Sequence, residues 1–285
     1  MHIKPFQEFA KDKIGVAGLV LILFLFTTAI LAPVIAPHDP WDYSASAFQP
    51  PSREHLLGTN DIGYDIFSEL LWALRTSILF GIAVATITCT IGIVLGVSAA
   101  LIGGMYDMIV MRLADALLAI PTIMVLILIA AYFKPSTTVL IIALSLVLWQ
   151  TIARGMRAQT LSLKTKLYVK AAKNTGAPTS YIMYKHIMPE LFPLYAMGFV
   201  TKARIAVFME AGLSFLGIFD PTTKSLGIMM SYAMRYLDPC FGVWFNWLLP
   251  PVVALSLLII SLGLISYAIE EIFDPRLRRN NVTPI

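Results

Sequence analysis

The chain has 285 residues, of which 58% are hydrophobic and only 13% are charged. This composition excludes an ordinary soluble domain and indicates a polytopic membrane protein with one membrane domain. The net charge of +4 would favour nucleic acid if the basic residues formed a soluble patch. They lie scattered between apolar segments instead, so we predict no nucleic-acid partner.

Six apolar segments are each long enough to cross a hydrocarbon core of about 30 Å. In chain order, the predicted spans cover residues 14–32, 71–100, 108–132, 137–153, 190–218 and 247–269. Pro33, Pro37 and Pro40 are expected to end the first helix. We predict an all-α protein in which residues 1–13 form a tail, 14–70 the first helix and an external loop, 71–275 a core domain and 276–285 a second tail.

Small and charged residues within the spans predict contacts between helices. Gly92, Gly96 and Ala100 form a small-residue seam on the second span that would allow close packing. Arg112 and Asp115 lie three apart at the start of the third span, where mutual pairing would lower the cost of holding both charges near the membrane interface. A proton relay is the alternative, but a relay needs ionisable groups deeper in the same span, which has none.

The fifth span is the least apolar of the six. Lys202, Arg204 and Glu210 interrupt it. Because charged groups are costly in lipid, this helix must face protein or water.

Residues 164–189, here called the lysine loop, carry five lysines and no acidic residue. Good helix formers surround Ala171 and Ala172, Gly176 can end that helix in a left-handed conformation, and Pro178 can begin the next helix. The pattern predicts two short helices joined by an elbow. The small side chains of the alanine pair leave a shallow depression on the helix surface where another protein can approach. The lysines around it would favour an acidic groove on that protein. A loop that only fixes topology is the alternative.

The basic residues predict the orientation of the chain. In the six-span arrangement, fourteen of the 21 lysines and arginines lie on or beside the side that carries the lysine loop, and five lie on the other side. Since cytosolic loops are enriched in Lys and Arg, both termini and the lysine loop are expected in the cytosol.

Motifs for nucleotide binding and catalysis are absent from the sequence. No phosphate-binding G-x4-G-K-[ST] motif occurs, so a separate subunit must hydrolyse any ATP. H-E-x-x-H and G-x-S-x-G are also lacking, and no catalytic or metal-ligating residue is assigned. The four histidines are too scattered in the predicted topology to form a metal or catalytic cluster: His2, His38, His55 and His186.

The spacing A-A-x3-G-x12-P in the lysine loop resembles the Glu-Ala-Ala loop with which ABC importer membrane subunits bind their ATPase. Its members here are Ala171, Ala172, Gly176 and Pro189. Lys170 stands where the family usually has glutamate, and His186 where the general pattern has isoleucine. The run HIMP, which ends at Pro189, is close to the His-Ile-Leu-Pro form of the dipeptide, oligopeptide and nickel permease branch.

Further blocks extend the resemblance over nearly the whole chain. Residues 50–65, PPSREHLLGTNDIGYD, are similar to the branch signature before the second helix, although Asn60 and Tyr64 replace its usual aspartate and arginine. Four other blocks are similar to the branch: RLADALLAIP, WQTIARGMRAQTLSLKTKLYVKAA, EAGLSFLG and FDPRLRR.

The resemblance implies a type I ABC importer permease fold with six transmembrane helices in a bacterial or archaeal inner membrane. The residues expected to contact the ATPase are Lys170, Ala171, Ala172, Gly176, His186 and Pro189. Glu210, Ser214 and Phe215, near the outer end of the fifth helix, are expected to line the pathway or a gate. A buried group satisfied by a neighbouring helix is the alternative for Glu210.

The resemblance also implies partners and cargo. The expected partners are a homologous second permease subunit, two ATP-binding subunits that hold ATP and Mg²⁺, and an extracytoplasmic substrate-binding protein, whereas this chain binds no cofactor. Di- or oligopeptides are the expected cargo, and nickel or a metal chelate is the alternative. A membrane scaffold protein and an ion-coupled secondary transporter are alternatives from other classes. The transporter would need carboxylates near the middle of the membrane, for which Glu210 is the candidate.

Overall fold

A computed structural model of the chain describes residues 12–133, 136–236 and 244–273, together with Phe9. The helices are α1 Lys13–Ile35, α2 Ile66–Ile102, α3 Gly104–Ala119, α4 Thr122–Tyr132, α5 Thr137–Lys164, α6 Leu167–Asn174, α7 Thr179–Ile182, α8 Met188–Phe215, α9 Leu226–Arg235 and α10 Leu249–Phe273. One-turn π-helices precede α8 and α10, at Met183–Ile187 and Trp244–Leu248. The predicted tail at 276–285 lies outside the described residues.

Membrane-spanning length and apolarity are found in five helical runs of the described chain, or in six spans if α3 and α4 count as one bent span. The five runs are α1, α2, α5, Thr179–Phe215 and Trp244–Ile272. The prediction of an all-α protein with six spans is therefore confirmed.

Helix α1 begins at an Asp12 cap, whose carboxylate accepts hydrogen bonds from the backbone N–H groups of Ile14 and Gly15. Of the prolines predicted to stop this helix, Pro33 lies inside it, and α1 ends at Ile35, before Pro37. A proline removes one backbone hydrogen bond and leaves its neighbours intact. The N–H of Ala36 still donates to Ala32 at 2.9 Å.

Helix α2 is the central element and packs against α1, α5 and α8. It starts five residues before the predicted position because Asp65 caps it, accepting a hydrogen bond of 2.8 Å from the N–H of Ser68. The predicted small-residue seam is confirmed. A Cβ added to Gly96 would lie 2.4 Å from the carbonyl oxygen of Ala153 on α5, so only glycine allows this approach.

The third predicted span is bent, which corrects the expectation of one continuous helix over 108–132. Helices α3 and α4 meet at an angle of 86°. Ile120 is extended at φ −99° and ψ 128°, as expected for a residue that precedes proline, here Pro121.

The fifth span begins earlier than predicted. Helix α7, the π-helical turn and α8 form one helical run, Thr179–Phe215. Pro189 lies in the first turn of α8, where proline is tolerated, and does not break the run. The second short helix of the lysine loop is therefore continuous with the fifth span.

The molecule has two distinct ends. At one, called the Glu69 end, the loop 36–65 meets the segment 216–225, and the indole N–H of Trp41 donates to the carbonyl of Thr222 at 3.4 Å. The other, called the lysine end, holds the lysine loop. The start of α1 lies there too, beside the end of α10, since a Cβ on Gly15 would lie 2.6 Å from Ala268.

Candidate functional site

The lysine loop is anchored by its apolar side chains. Val169 on α6, Ile182 on α7 and Ile187 in the π-helical turn are buried against Leu163 and Leu191. These contacts fix both short helices to the lower parts of α5 and α8. Most of the charged side chains of the loop are consequently turned outward, whereas Lys164 donates to the carbonyl of Ala100 at 2.7 Å.

The elbow between α6 and α7 closes with a Schellman motif. Gly176 is left-handed at φ +82°, the N–H of Ala177 donates to Ala172 and that of Gly176 to Lys173, both at 3.1 Å. A Cβ on Gly176 would meet nothing within 4 Å, so the backbone conformation, and not space, requires glycine there. Pro178 then caps α7. The predicted two-helix elbow is confirmed.

The outward face of the loop mixes lysines with exposed apolar groups. Lys170 and Ala171 are exposed and Ala172 is half-buried. Leu167 is 84% exposed and Tyr184 69% exposed. Large apolar side chains beside lysines are typical of a surface that contacts another protein.

His186 is half-buried and packs within the loop. Its ring centroid lies 5.7 Å from that of Tyr168 on α6 and 5.8 Å from that of Tyr181 on α7. The histidine therefore joins the two short helices. Pro189 is exposed on the same side of the molecule.

The predicted pair of Arg112 with Asp115 is corrected by the structure. Asp115 lies 2.9 Å from Arg154 of α5, while Arg112 is exposed. Asp107 forms a second link, accepting two hydrogen bonds of 2.5 and 2.6 Å from Arg157. Residues three apart share a helix face, but the arginines of α5 approach that face from outside, which local spacing cannot reveal. Two ion pairs thus tie α3 to α5.

Glu210 is fully buried near the end of α8. Its carboxylate accepts hydrogen bonds of 2.9 Å from Ser77 of α2 and from Ser214, and the hydroxyl of Ser225 also donates to it. Hydroxyl groups from α2, α8 and the segment 216–225 therefore hydrogen-bond the carboxylate of Glu210. Of the three residues expected to line a pathway, the structure brings Glu210 and Ser214 together, whereas Phe215 is 45% exposed beyond them.

A buried ion pair, which the sequence did not indicate, joins the segment 216–225 to the first turn of α2 at the Glu69 end. Lys224 donates to Glu69 at 2.9 Å, and the amide of Asn60 donates to the other carboxylate oxygen at 3.1 Å. The ammonium of Lys224 also lies 3.5 Å from the ring centroid of Tyr64. Burial raises the pKa of the Tyr64 phenol, and Glu69 adds to that rise.

This ion pair accounts for one departure from the family signature. Tyr64 stands where the related branch usually has arginine, and Lys224, distant in sequence, supplies a cation beside Tyr64 and Glu69. The only sequence signal was the missing arginine, because the chain separation of Glu69 and Lys224 gives no indication that they meet.

Two of the four histidines do meet, which corrects the expectation that they are too scattered. The rings of His38 and His55 lie 4.7 Å apart, and ligand atoms of both lie within 4.8 Å of one on Asp65. His55 contacts Asp65 at 3.0 Å, and the other carboxylate oxygen accepts hydrogen bonds from the backbone and hydroxyl of Ser68. Both carboxylate oxygens of Asp65 thus bind groups of the protein itself. These contacts fix the start of α2.

Comparisons with known proteins agree with this architecture. A family model described as "Binding-protein-dependent transport system inner membrane component" matches residues 92–279. A model of the N-terminal transmembrane domain of oligopeptide transport permease C matches residues 6–51.

Among relatives, the oligopeptide transport system permease protein OppC of Bacillus subtilis is 32% identical over 95% of this chain and 88% of its own length. The dipeptide transport system permease protein DppC of Haemophilus influenzae is 31% identical over 96% of both chains. A solved chain of the MetNI methionine ABC transporter in an inward-facing conformation is similar with a TM-score of 0.46 and 17% identity, over 70% of this chain and 97% of that one. This chain belongs to the family of inner membrane components of binding-protein-dependent transport systems.

Proposed function

We propose that this chain is the permease subunit of an ATP-driven importer that carries di- or oligopeptides. Its membership in a binding-protein-dependent transport family supports import, and the relatives named for oligopeptide and dipeptide transport support peptide as the cargo. The six-span architecture supports the type I importer permease fold. Import proceeds by alternating access, with ATP hydrolysed elsewhere.

The observation that carries the proposal is the continuity between the lysine loop and the fifth span. From Thr179 to Phe215 the chain is one helical run, and the Schellman motif at Gly176 holds α6 against its start. A protein that moves the exposed side of α6 therefore also moves α8. A partner that contacts the loop differently in its two nucleotide states can change the conformation of the spans in this way.

The partners in this proposal are two ATP-binding subunits, a homologous second permease subunit and an extracytoplasmic substrate-binding protein. The lysine end faces the cytosol, and the ATP-binding subunits hold ATP and Mg²⁺. Their contact surface on this chain is built from Lys170, Ala171, Ala172, Gly176, His186 and Pro189. His186 acts by joining the short helices, since its ring lies between two tyrosines.

Ion-coupled secondary transport is disfavoured by the position of Glu210. The residue lies five positions before the end of α8, which is about 8 Å along the axis, and not near the middle of the span. Its oxygens are held by three serine hydroxyls. A coupling carboxylate needs exchange with a passing ion, which this enclosure opposes.

The proposal is tested with the full complex, purified from membranes through a tag on this chain. Two P-loop ATPases should co-purify with the wild type and be lost from Gly176→Pro and Ala172→Arg, while both variants still insert. Ser180→Ala, an exposed change on α7, is the control and should retain them.

Vesicle uptake then separates the possible cargoes and energy sources. Labelled dipeptide should accumulate only with ATP inside the compartment that contains the ATPases. Uptake of nickel or a metal chelate in place of peptide would support the role as an importer permease and show that peptide is not the cargo. Uptake that ignores ATP and collapses with an ion gradient would contradict the proposal.

A further inference from the structure

Lys202 is a buried basic residue halfway along α8. It is 4% exposed and lies about 20 Å from either end of that helix. Charged side chains inside a membrane-spanning helix are costly, and ionisable residues kept there usually serve a pathway or pair with another group.

No hydrogen bond or ion pair joins Lys202 to any residue in the described part of the chain. The other buried lysine, Lys224, is 8% exposed and has Glu69 at 2.9 Å. Since a buried charge without a counter-ion is strongly destabilising, the contrast indicates that Lys202 pairs with a group outside the described residues.

Lys202 lines a cavity of about 360 Å³ between α5 and α8. Gly155 widens it from the α5 side, where an added Cβ would meet only a methyl group of Leu194, at 3.8 Å. Met156 and Met197 form part of the wall. A cavity of this size is within the range of small-molecule sites, and methionine walls adapt to side chains of different shape.

We propose that Lys202 binds the C-terminal carboxylate of a short peptide as the peptide passes through this cavity. The inference rests on the proposed function and names a contact for its cargo. A free carboxylate is the one anionic group that all unmodified peptides share, so a single lysine serves the whole class while the methionine walls accept varied side chains. Lysine is a compact point charge, and one contact of this kind is weak enough to permit release, as transport requires.

The test uses the complete transporter in vesicles and two labelled dipeptides that differ only at the C-terminus, one a free acid and one an amide. The variant Lys202→Met keeps the length of the side chain and removes the charge. It should fold at least as well as the wild type, because the unpaired charge is gone. Lys202→Arg tests whether a cation alone is sufficient.

The wild type should import the free acid about tenfold faster than the amide, a ratio that corresponds to about 1.4 kcal/mol and lies near the lower end of what a hydrogen bond to a charged group contributes. Lys202→Met should lose this preference by slowing the free acid alone, and Lys202→Arg should retain it. Arg204→Gln is the control, because Arg204 faces α10, where its guanidinium lies 3.3 Å from the position of a Cβ on Gly263. The Arg204→Gln transporter should prefer the free acid over the amide to the same extent as the wild type.

Two results would overturn the inference while leaving peptide import intact. Equal slowing of the acid and the amide in Lys202→Met would show that the lysine acts on the helix and not on the cargo carboxylate. Loss of the second permease subunit from the purified Lys202→Met complex would show that Lys202 pairs with an acidic residue of that subunit. Failure of the wild type to import either dipeptide would instead overturn the proposed function together with this inference.

Discussion

The two ends of α8 are held by different interactions. Near Phe215, the buried Glu210 accepts hydrogen bonds from three serines, and the adjoining Lys224–Glu69 pair joins the segment 216–225 to the start of α2. Near Met188, the lysine loop is held by apolar contacts and by backbone hydrogen bonds at Gly176. One end satisfies its charges internally, whereas the other leaves most of its lysines exposed.

This difference indicates what each end can do. Buried polar networks specify one arrangement, because a broken member leaves an unsatisfied partner. The two short helices of the lysine loop, fixed by apolar contacts, keep their shape without using most of the lysines, which then remain exposed to another protein. The mutations below test this division, beginning with the largest expected effect.

Glu69→Ala should give the largest loss of stability. It leaves the ammonium of Lys224 buried without its counter-ion, a change that costs about 3–5 kcal/mol. Thermal unfolding of the purified complex measures the effect. Glu54→Ala, an exposed change in the loop that precedes α2, should leave the unfolding temperature unaltered, and equal temperatures for the two variants would show that the pair does not stabilise the Glu69 end.

Glu210→Ala should destabilise the protein by about 1–3 kcal/mol, because it leaves buried hydroxyl donors without an acceptor. Glu210→Gln keeps one acceptor oxygen and should cost less. Unfolding temperature and uptake are measured on both variants. Full stability of Glu210→Ala would contradict the hydrogen-bonded cluster. A stable Glu210→Gln that no longer transports would show that the carboxylate takes part in the pathway.

Gly176→Ala should cost about 1 kcal/mol, because alanine is disfavoured at φ +82°. Backbone hydrogen exchange should rise in α6 and α7, and co-purification of the ATPases should weaken. Gly212→Ala is the matched control. Gly212 also has nothing within 4 Å of an added Cβ, but it lies inside α8. Unchanged exchange in Gly176→Ala would show that the elbow does not depend on the left-handed residue.

Lys166→Ala should have the smallest effect. Its ammonium lies 3.8 Å from Glu190, and both side chains are about half exposed. Such pairs contribute about 0–1 kcal/mol and weaken in salt. A change in unfolding temperature comparable to that of Glu69→Ala, or one that persists at high salt, would contradict the view that the lysine loop is held by apolar contacts and not by its exposed lysines.

The fold and the elbow could be predicted from the sequence because their signals are local. Apolar length marks the spans, and the order of alanines, Gly176 and Pro178 marks the short helices. Pro33 and Pro121 have different effects on the helices that contain or follow them. A proline near a helix end is tolerated, whereas a proline between two helical segments accompanies a bend. Sequence alone does not separate these cases.

The clusters of charged residues could not be predicted from the sequence because they form between distant segments. Asp115 pairs with Arg154 of the next span and not with nearby Arg112. Lys224 and Glu69 lie in segments that meet only after the spans have packed. The same packing brings His38 to His55, and it leaves Lys202 beside a cavity without a partner in the described chain.

The most direct test of the account is crosslinking from a cysteine placed at Ala171, in a chain whose Cys89 and Cys240 are replaced by serine. The account predicts that this cysteine crosslinks to a P-loop ATPase subunit in membranes and is not labelled by an impermeant thiol reagent added outside intact cells. Labelling from outside, with no crosslink to an ATPase, would contradict it.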